Sequence, residues 1–88
     1  MKLILAIIRD IDNEQVSHAL INANFRVTRI ASTGGFLRRG SSTLLIGVND
    51  DKVDESIKII RENTHLPEEP GGKRATLFVL NVEHFSQV

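Results

Sequence analysis

Residues 2–8, with the sequence KLILAII, are apolar and rich in β-branched side chains, and the run ends at Arg9 and Asp10. Both alternating sets of side chains in the run are apolar, which is typical of a central strand whose two faces are both covered. Residues 75–82, with the sequence ATLFVLNV, have much the same character. Residues 2–8 are therefore predicted to form a central strand of a sheet.

The segment after this strand has the pattern of a helix followed by a second strand. Asp12 is predicted to cap a helix over about residues 13–23, with Gln15 completing a capping box. Asn24, which tolerates the left-handed conformation, is placed to end that helix. Residues 25–33 are rich in strand formers and are predicted to be a strand with Arg26 and Thr28 on one face.

The second half of the chain repeats this order. Residues 34–40 contain three glycines and are predicted to be a loop that leads into a buried strand at residues 42–48. Asn49, Asp50 and Asp51 are three possible caps for a second helix that ends near Asn63. A loop at residues 65–73, which holds both prolines, precedes the last strand at residues 75–82.

Two successive strand–helix–strand units predict an α+β fold, a ferredoxin-like βαββαβ sandwich with a four-stranded antiparallel sheet and two helices on one face. Because the helices cover one face only, the apolar side chains on the other face would remain exposed in a monomer. Copies of the sheet are therefore expected to pack together. The alternative is that a loop or the tail at residues 83–88 covers that face within one chain.

Length and composition limit the classes of protein that this chain can represent. Its 88 residues predict one domain, residues 1–88, and its eleven basic side chains balance eleven acidic ones. This balance provides no general attraction for nucleic acid or an anionic membrane. The chain has no cysteine and no apolar run near the length of a membrane span, and a cytoplasmic protein is expected.

Residues 33–40, with the sequence TGGFLRRG, combine the chemical groups of a nucleotide site. Glycine amides approach phosphates closely, arginines donate charge-assisted hydrogen bonds to phosphate oxygens, and Phe36 offers a ring on which a purine can stack. Asn24, Arg26 and Thr28 add an amide, a cation and a hydroxyl nearby. The same composition also fits a flexible hairpin with solvated arginines.

The chain resembles the PII-like cyclic-di-AMP receptors of Gram-positive bacteria, apart from a shortened loop before the last strand. The resemblance lies in the Arg9-Asp10 exit of the first strand and in several later motifs: NFR at 24–26, TGGFLR at 33–38, GVNDD at 47–51 followed by VDE at 53–55, AT at 75–76, FVL at 78–80, and Phe85. It implies a non-catalytic signal-transduction protein. It also implies a homotrimer that holds one nucleotide ligand in each cleft between subunits and reports occupancy to a partner protein, here unknown.

The resemblance also implies which residues contact cyclic-di-AMP. The implied ligand-binding residues are Asn24, Arg26, Thr28, Gly35, Phe36, Leu37, Ser41, Gly47, Phe78 and Gln87. Arg26 would contact a phosphate, Asn24 and Thr28 would bond to a base or ribose, residues 35–37 would surround one adenine, and Phe78 would line the cleft. The family often has Asn at the position of Ser41. No cofactor and no metal are expected.

Two other classes of protein remain as alternatives. An enzyme of this fold would need an acid–base group in a pocket, but His18, His65 and His84 are predicted to be surface histidines without clustered partners. The acidic residues at 50–55 are better explained as helix caps and favourable charges at a helix N-terminus than as a metal site. A metal-tolerance or structural trimer with a different ligand, or none, is the second alternative, and the short loop favours it.

Overall fold

The computed structural model describes residues 1–32 and 40–88. Within these residues the chain forms four β-strands and two α-helices, with a short 3₁₀ turn before each helix. The elements are β1 (Lys2–Arg9), α1 (Asn13–Asn22), β2 (Arg26–Ser32), β3 (Ser41–Val48), α2 (Val53–Glu62) and β4 (Ala75–Asn81). The strands and α1 begin and end within two residues of their predicted bounds, while α2 begins two to four residues after the three candidate caps and ends one residue before Asn63.

The four strands form one antiparallel sheet in the order β2-β3-β1-β4. Leu5 in the middle of β1 lies opposite Leu45 of β3 on one side and Phe78 of β4 on the other. The central position predicted for the first strand is therefore confirmed, and so is the α+β, ferredoxin-like class. The strand order is consistent with a PII-like fold.

The core lies between the helices and one face of the sheet. Alternate residues of β1 and β3 point into it because successive side chains of a strand point to opposite faces. The buried apolar side chains are Ile4, Ala6, Ile8, Val16, Leu20, Leu44, Ile46, Val48 and Ile60. Each contributes on the order of 1–3 kcal/mol through removal from water.

The opposite side of the sheet, called the open face here, is covered by no helix of residues 1–32 and 40–88. It carries Leu3, Leu5 and Ile7 of β1, and the register adds Thr43, Leu45, Gly47, Arg26, Thr28, Thr76, Phe78 and Leu80 from the other strands. Phe78 is 51% exposed and Leu80 is 47% exposed. The apolar second face predicted from the sequence therefore exists in the single chain.

The end of α1 is shaped by Asn24. Its backbone has a φ of 70°, which is the left-handed conformation. The Asn24 amide donates to the Ile21 carbonyl at 2.9 Å and the Phe25 amide donates to the Leu20 carbonyl at 3.0 Å, which is the Schellman pattern. Asn24 thus ends the helix as predicted and turns the chain directly into Arg26 at the start of β2.

The start of α1 differs from the prediction. Asp12 precedes the helix but makes no capping hydrogen bond, and its side chain is fully buried. Its carboxylate accepts hydrogen bonds from the backbone amide of His65, at 3.2 Å, and from the imidazole Nδ1 of the same residue. Arg9 completes the cluster, since its Nε lies 3.5 Å from Asp12 Oδ2 and its Nη2 donates to the His65 carbonyl at 2.6 Å.

The predicted capping box is therefore wrong, because the Asp12 carboxylate is used in a tertiary contact. Gln15 donates to Asn63 beyond the end of α2, at 3.3 Å, rather than returning a bond to Asp12. The predicted caps of the second helix are also not observed. Neither Asn49 nor Lys52, the residues preceding the 3₁₀ turn and α2, makes a side-chain capping bond, and Asp50 pairs with the Met1 amino group at 3.0 Å.

Candidate ligand-binding site

Two adjoining cavities lie at one end of the sheet, where β2 begins and β3 ends. We call this the near end. The first, the open-face cavity, has a volume of about 630 Å³. It is lined by Met1, Leu3, Arg26, Thr28, Leu45, Gly47, Val82, Phe85 and Gln87. The C-terminal tail thus lies over this end of the open face, where Phe85 adds an aromatic ring and Gln87 adds an amide to a lining that already contains Arg26 and Thr28.

The second cavity, the helix-side cavity, has a volume of about 510 Å³. It lies between the C-terminus of α1 and the N-terminus of α2, and its lining is mostly polar. The lining residues are Met1, Ala23, Asn24, Phe25, Arg26, Gly47, Val48, Asn49, Lys52 and Glu55. Both volumes fall within the range of small-molecule sites, roughly 300–1,000 Å³.

Met1, Arg26 and Gly47 form the wall that the two cavities share. Arg26 lies directly opposite Gly47 in the sheet. A Cβ added at Gly47 would lie 3.1 Å from the Met1 Cε, which is closer than ordinary van der Waals contact. The end of the Met1 side chain therefore occupies part of the space that a side chain at position 47 would need.

Asn24 reaches the helix-side cavity because of the backbone turn that ends α1. Asn tolerates the left-handed conformation better than most residues with a side chain. The position therefore combines a turn that glycine would also accept with a side-chain amide that glycine lacks. The amide group can both donate and accept hydrogen bonds.

Charged groups surround the near end on the side of α2. Lys52 and Glu55 form an ion pair at 3.5 Å, and both side chains are about half exposed. The Met1 amino group donates to Asp50, and this hydrogen bond lowers the pKa of the Asp50 carboxyl below its ordinary value, with the amino group's positive charge acting in the same direction. Within the described ranges, no group of three or more His, Cys, Asp or Glu side chains is placed to hold a metal ion.

The predicted contact residues divide into four sets. Asn24, Arg26, Thr28, Gly47 and Gln87 line the two cavities at the near end. Phe78 lies on the open face in the same row as Thr28, but three strands away, at about 14 Å. Ser41 lies opposite Arg9 at the far end of the sheet, about 20 Å along β3 from Gly47. Gly35, Phe36 and Leu37 lie outside the described residues.

Several lining residues were not among the predicted ones. Lys52 and Glu55 stand one helical turn apart at the start of α2, and Met1 reaches both cavities although it precedes the first strand. Phe85, noted in the tail as part of the resemblance, lines the open-face cavity. The spacing of Lys52 and Glu55 does indicate a shared helix face, but their approach to Arg26 depends on the packing of α2 beside the sheet.

An α+β sandwich with adjoining cavities at the end of its sheet, and a cation in the wall between them, is typical of a small ligand-binding protein. The family model of the cyclic-di-AMP receptor matches residues 1–70, and the chain belongs to this family. The resemblance noted in the sequence is therefore confirmed. The matched residues include the two helices and β1 to β3, while β4 and the tail follow the match.

A solved structure is similar over nearly the whole chain. It is the crystal structure of a functionally unknown protein from Pediococcus pentosaceus, with 36% sequence identity and a TM-score of 0.79. The similarity covers 99% of this chain and 96% of that one, so it extends over β4 and the tail. In the present chain, no helix of residues 1–32 and 40–88 combines the length and apolar character that crossing a bilayer requires.

Proposed function

We propose that this chain is a non-catalytic, cytoplasmic signal-transduction protein that binds cyclic-di-AMP in clefts between the subunits of a homotrimer. The observation that carries the proposal is the convergence of Asn24, Arg26, Thr28, Gly47 and Gln87 on two adjoining cavities. These residues come from three separate segments of the sequence, and the chain belongs to the cyclic-di-AMP receptor family.

The arrangement of the remaining predicted contacts supports a site shared between copies. Ser41 and Gly40, where the chain re-enters the described residues, lie at the far end of the sheet, beside Arg9 and Asp10. Ser41 lies about 20 Å along β3 from Gly47, which is the residue opposite Arg26. In the proposed assembly, the far end of one sheet would lie against the near end of the next copy, and the cleft between them would unite the two sets.

The open face supports association of the copies. Phe78 and Leu80 on β4 are about half exposed, and each would contribute on the order of 1–2 kcal/mol if its remaining exposed area were buried. Leu3, Leu5 and Ile7 continue the same surface across β1. An apolar patch that extends over two neighbouring strands is typical of an interface rather than of a monomer's surface.

The chemistry of the lining fits a cyclic dinucleotide. The Arg26 guanidinium presents a planar set of donors that matches phosphate oxygens. Asn24 and Thr28 can bond to a base or ribose, and Phe78 offers a ring against which a base can pack. The ligand would thus be held by charge at its phosphates and by apolar contact at its bases, while its occupancy is reported to a downstream protein.

Calorimetric titration tests the ligand. Wild-type protein is titrated with cyclic-di-AMP, cyclic-di-GMP, ATP and 2-oxoglutarate, beside the variants Arg26→Ala and Arg29→Ala. Arg29 is a matched control because it lies on the same strand and points to the opposite face from Arg26. We expect micromolar or tighter binding of cyclic-di-AMP, about 8 kcal/mol or more, that is lost in Arg26→Ala and kept in Arg29→Ala. No heat with cyclic-di-AMP contradicts the proposal.

Light scattering tests the assembly. Three copies of the 9.8 kDa chain are expected in solution. Leu80→Glu places a charge on the open face and should dissociate the assembly and abolish ligand binding. Val79→Glu is the control, since Val79 is similarly exposed at 43% but lies on the other face of β4. A monomeric wild type that still binds cyclic-di-AMP would refute the shared cleft while leaving the ligand in place.

A further inference from the structure

Lys52 is a second cation beside the proposed ligand site. Among the described side chains that line the helix-side cavity, the cationic ones are Arg26 and Lys52. The Lys52 amide donates to the Asn49 carbonyl at 2.9 Å, which fixes the backbone of the turn before α2. The position of the Lys52 backbone beside the cavity is thus set, while its four-carbon side chain can still change direction.

The partner of Lys52 lines the same cavity. Its ammonium group lies 3.5 Å from a carboxylate oxygen of Glu55, with 53% and 49% of the two side chains exposed. Ion pairs this exposed contribute little to stability, because water solvates both charges. Lys52 can therefore leave the Glu55 carboxylate for a phosphodiester oxygen with little loss of stability. The Glu55 carboxylate, once it is without Lys52, repels an anionic ligand in the same cavity.

We infer that Lys52 and Glu55 form a charge pair that tunes the affinity for anionic ligands, with Lys52 turning from Glu55 to a phosphodiester group of the bound nucleotide. The inference rests on the proposed function and adds two residues to its site. Lys52 strengthens binding of a ligand that carries phosphate charge, and Glu55 weakens it. An uncharged nucleoside such as adenosine has no anionic group that can replace Glu55 as the partner of Lys52. Its affinity therefore does not depend on Lys52.

The chain provides a matched control further along, within α2. Lys58 and Glu62 form an ion pair at 3.8 Å with 74% and 59% exposed side chains, and neither residue lines the near-end cavities. Removal of a charge from either pair changes the net charge of the protein equally. A comparison of the two pairs therefore separates a local contact with the ligand from general electrostatic attraction.

The test is calorimetric titration of cyclic-di-AMP into wild type, Lys52→Ala, Glu55→Gln, Lys58→Ala and Glu62→Gln at two salt concentrations. We expect Lys52→Ala to weaken binding about fivefold to tenfold and Glu55→Gln to strengthen it about twofold to fivefold, while the Lys58 and Glu62 variants stay within about twofold of wild type. The affinity of Lys52→Ala should also depend less on salt, because one screened contact has been removed.

The outcomes separate this inference from the proposed function. If wild type binds cyclic-di-AMP through Arg26 but Lys52→Ala binds equally well, the charge pair is refuted and the proposed function stands. Equal losses in Lys52→Ala and Lys58→Ala also refute it, since they indicate general attraction. Weaker binding in Glu55→Gln refutes the repulsive role of Glu55. If wild type binds no cyclic-di-AMP while it remains folded, the proposed function fails and the inference fails with it.

Discussion

Substitution of Asp12 by Ala should destabilise the protein more than any exposed acidic substitution. Asp12 is fully buried and accepts two hydrogen bonds from His65, and Arg9 Nε lies 3.5 Å away. Loss of one partner of a buried ion pair typically costs about 3–5 kcal/mol. Since the Arg9 side chain is 32% exposed and can be partly hydrated, we expect a smaller loss than this, about 2–3 kcal/mol of the free energy of unfolding.

The assay is urea unfolding followed by circular dichroism, at one protein concentration because association shifts apparent stability. For a domain of this size, a loss of about 2–3 kcal/mol corresponds to a decrease in Tm of roughly 10–20 °C. Glu14→Ala, an exposed change in the first turn of α1, is the control and should stay within about 0.5 kcal/mol of wild type. A similarly small effect for Asp12→Ala would refute the structural role of the cluster.

Substitutions at three further positions test the near end. Gly47→Ala should change the free energy of unfolding by less than about 1 kcal/mol, because the flexible end of Met1 can move, yet weaken cyclic-di-AMP binding at least about tenfold by calorimetry. Asn24→Gly should keep the helix end and lose affinity, whereas Asn24→Ala should also lose about 1–2 kcal/mol of stability at its φ of 70°. Asp50→Asn should have a lower Tm than wild type above pH 3.8, and the difference in Tm should shrink as the pH falls below that value. The pKa of Asp50 is lowered in the folded state, so the ionised carboxylate stabilises the fold, and this contribution disappears as the carboxyl is protonated. For the last, thermal melts between about pH 3 and 7 provide the measurement, with Asp51→Asn as control.

The order and bounds of the elements could be predicted because each depends on local signals. Alternation and apolar runs placed β1 and β3, and the left-handed tolerance of Asn24 placed the end of α1. Each of these signals depends on a few consecutive residues, so the sequence of the element and its immediate neighbours is enough to predict it. The general architecture then followed from the order of strands and helices.

The role of Asp12 could not be predicted in this way. An Asp directly before a helix is typical of a capping residue. The Asp12 carboxylate instead accepts a hydrogen bond from the backbone amide of His65, which lies 53 residues further along the chain. His65 was interpreted as a surface histidine and is 61% exposed, yet its ring contacts a buried carboxylate. Local sequence patterns cannot predict such a contact, because it forms only when the segment before α1 and the loop after α2 pack together.

The site was predictable to a similar extent. Arg26 and Thr28 were placed on one face by strand alternation, and that face proves to be the open one. The part played by Met1, Lys52 and Glu55 depends on how the start of α2 and the N-terminus meet the end of the sheet. The predicted contacts as a set remain a prediction, which the variants above are designed to test.

The thin wall between the two cavities has a consequence for the shape of the molecules that fit. One cavity opens on the strand side of the sheet's end and the other on the helix side, with Arg26 and Gly47 between them. A compound in contact with both must therefore curve around the residues of that wall. A macrocycle already has that curvature before it arrives, whereas an open-chain dinucleotide with the same bases and phosphates loses internal freedom to adopt it.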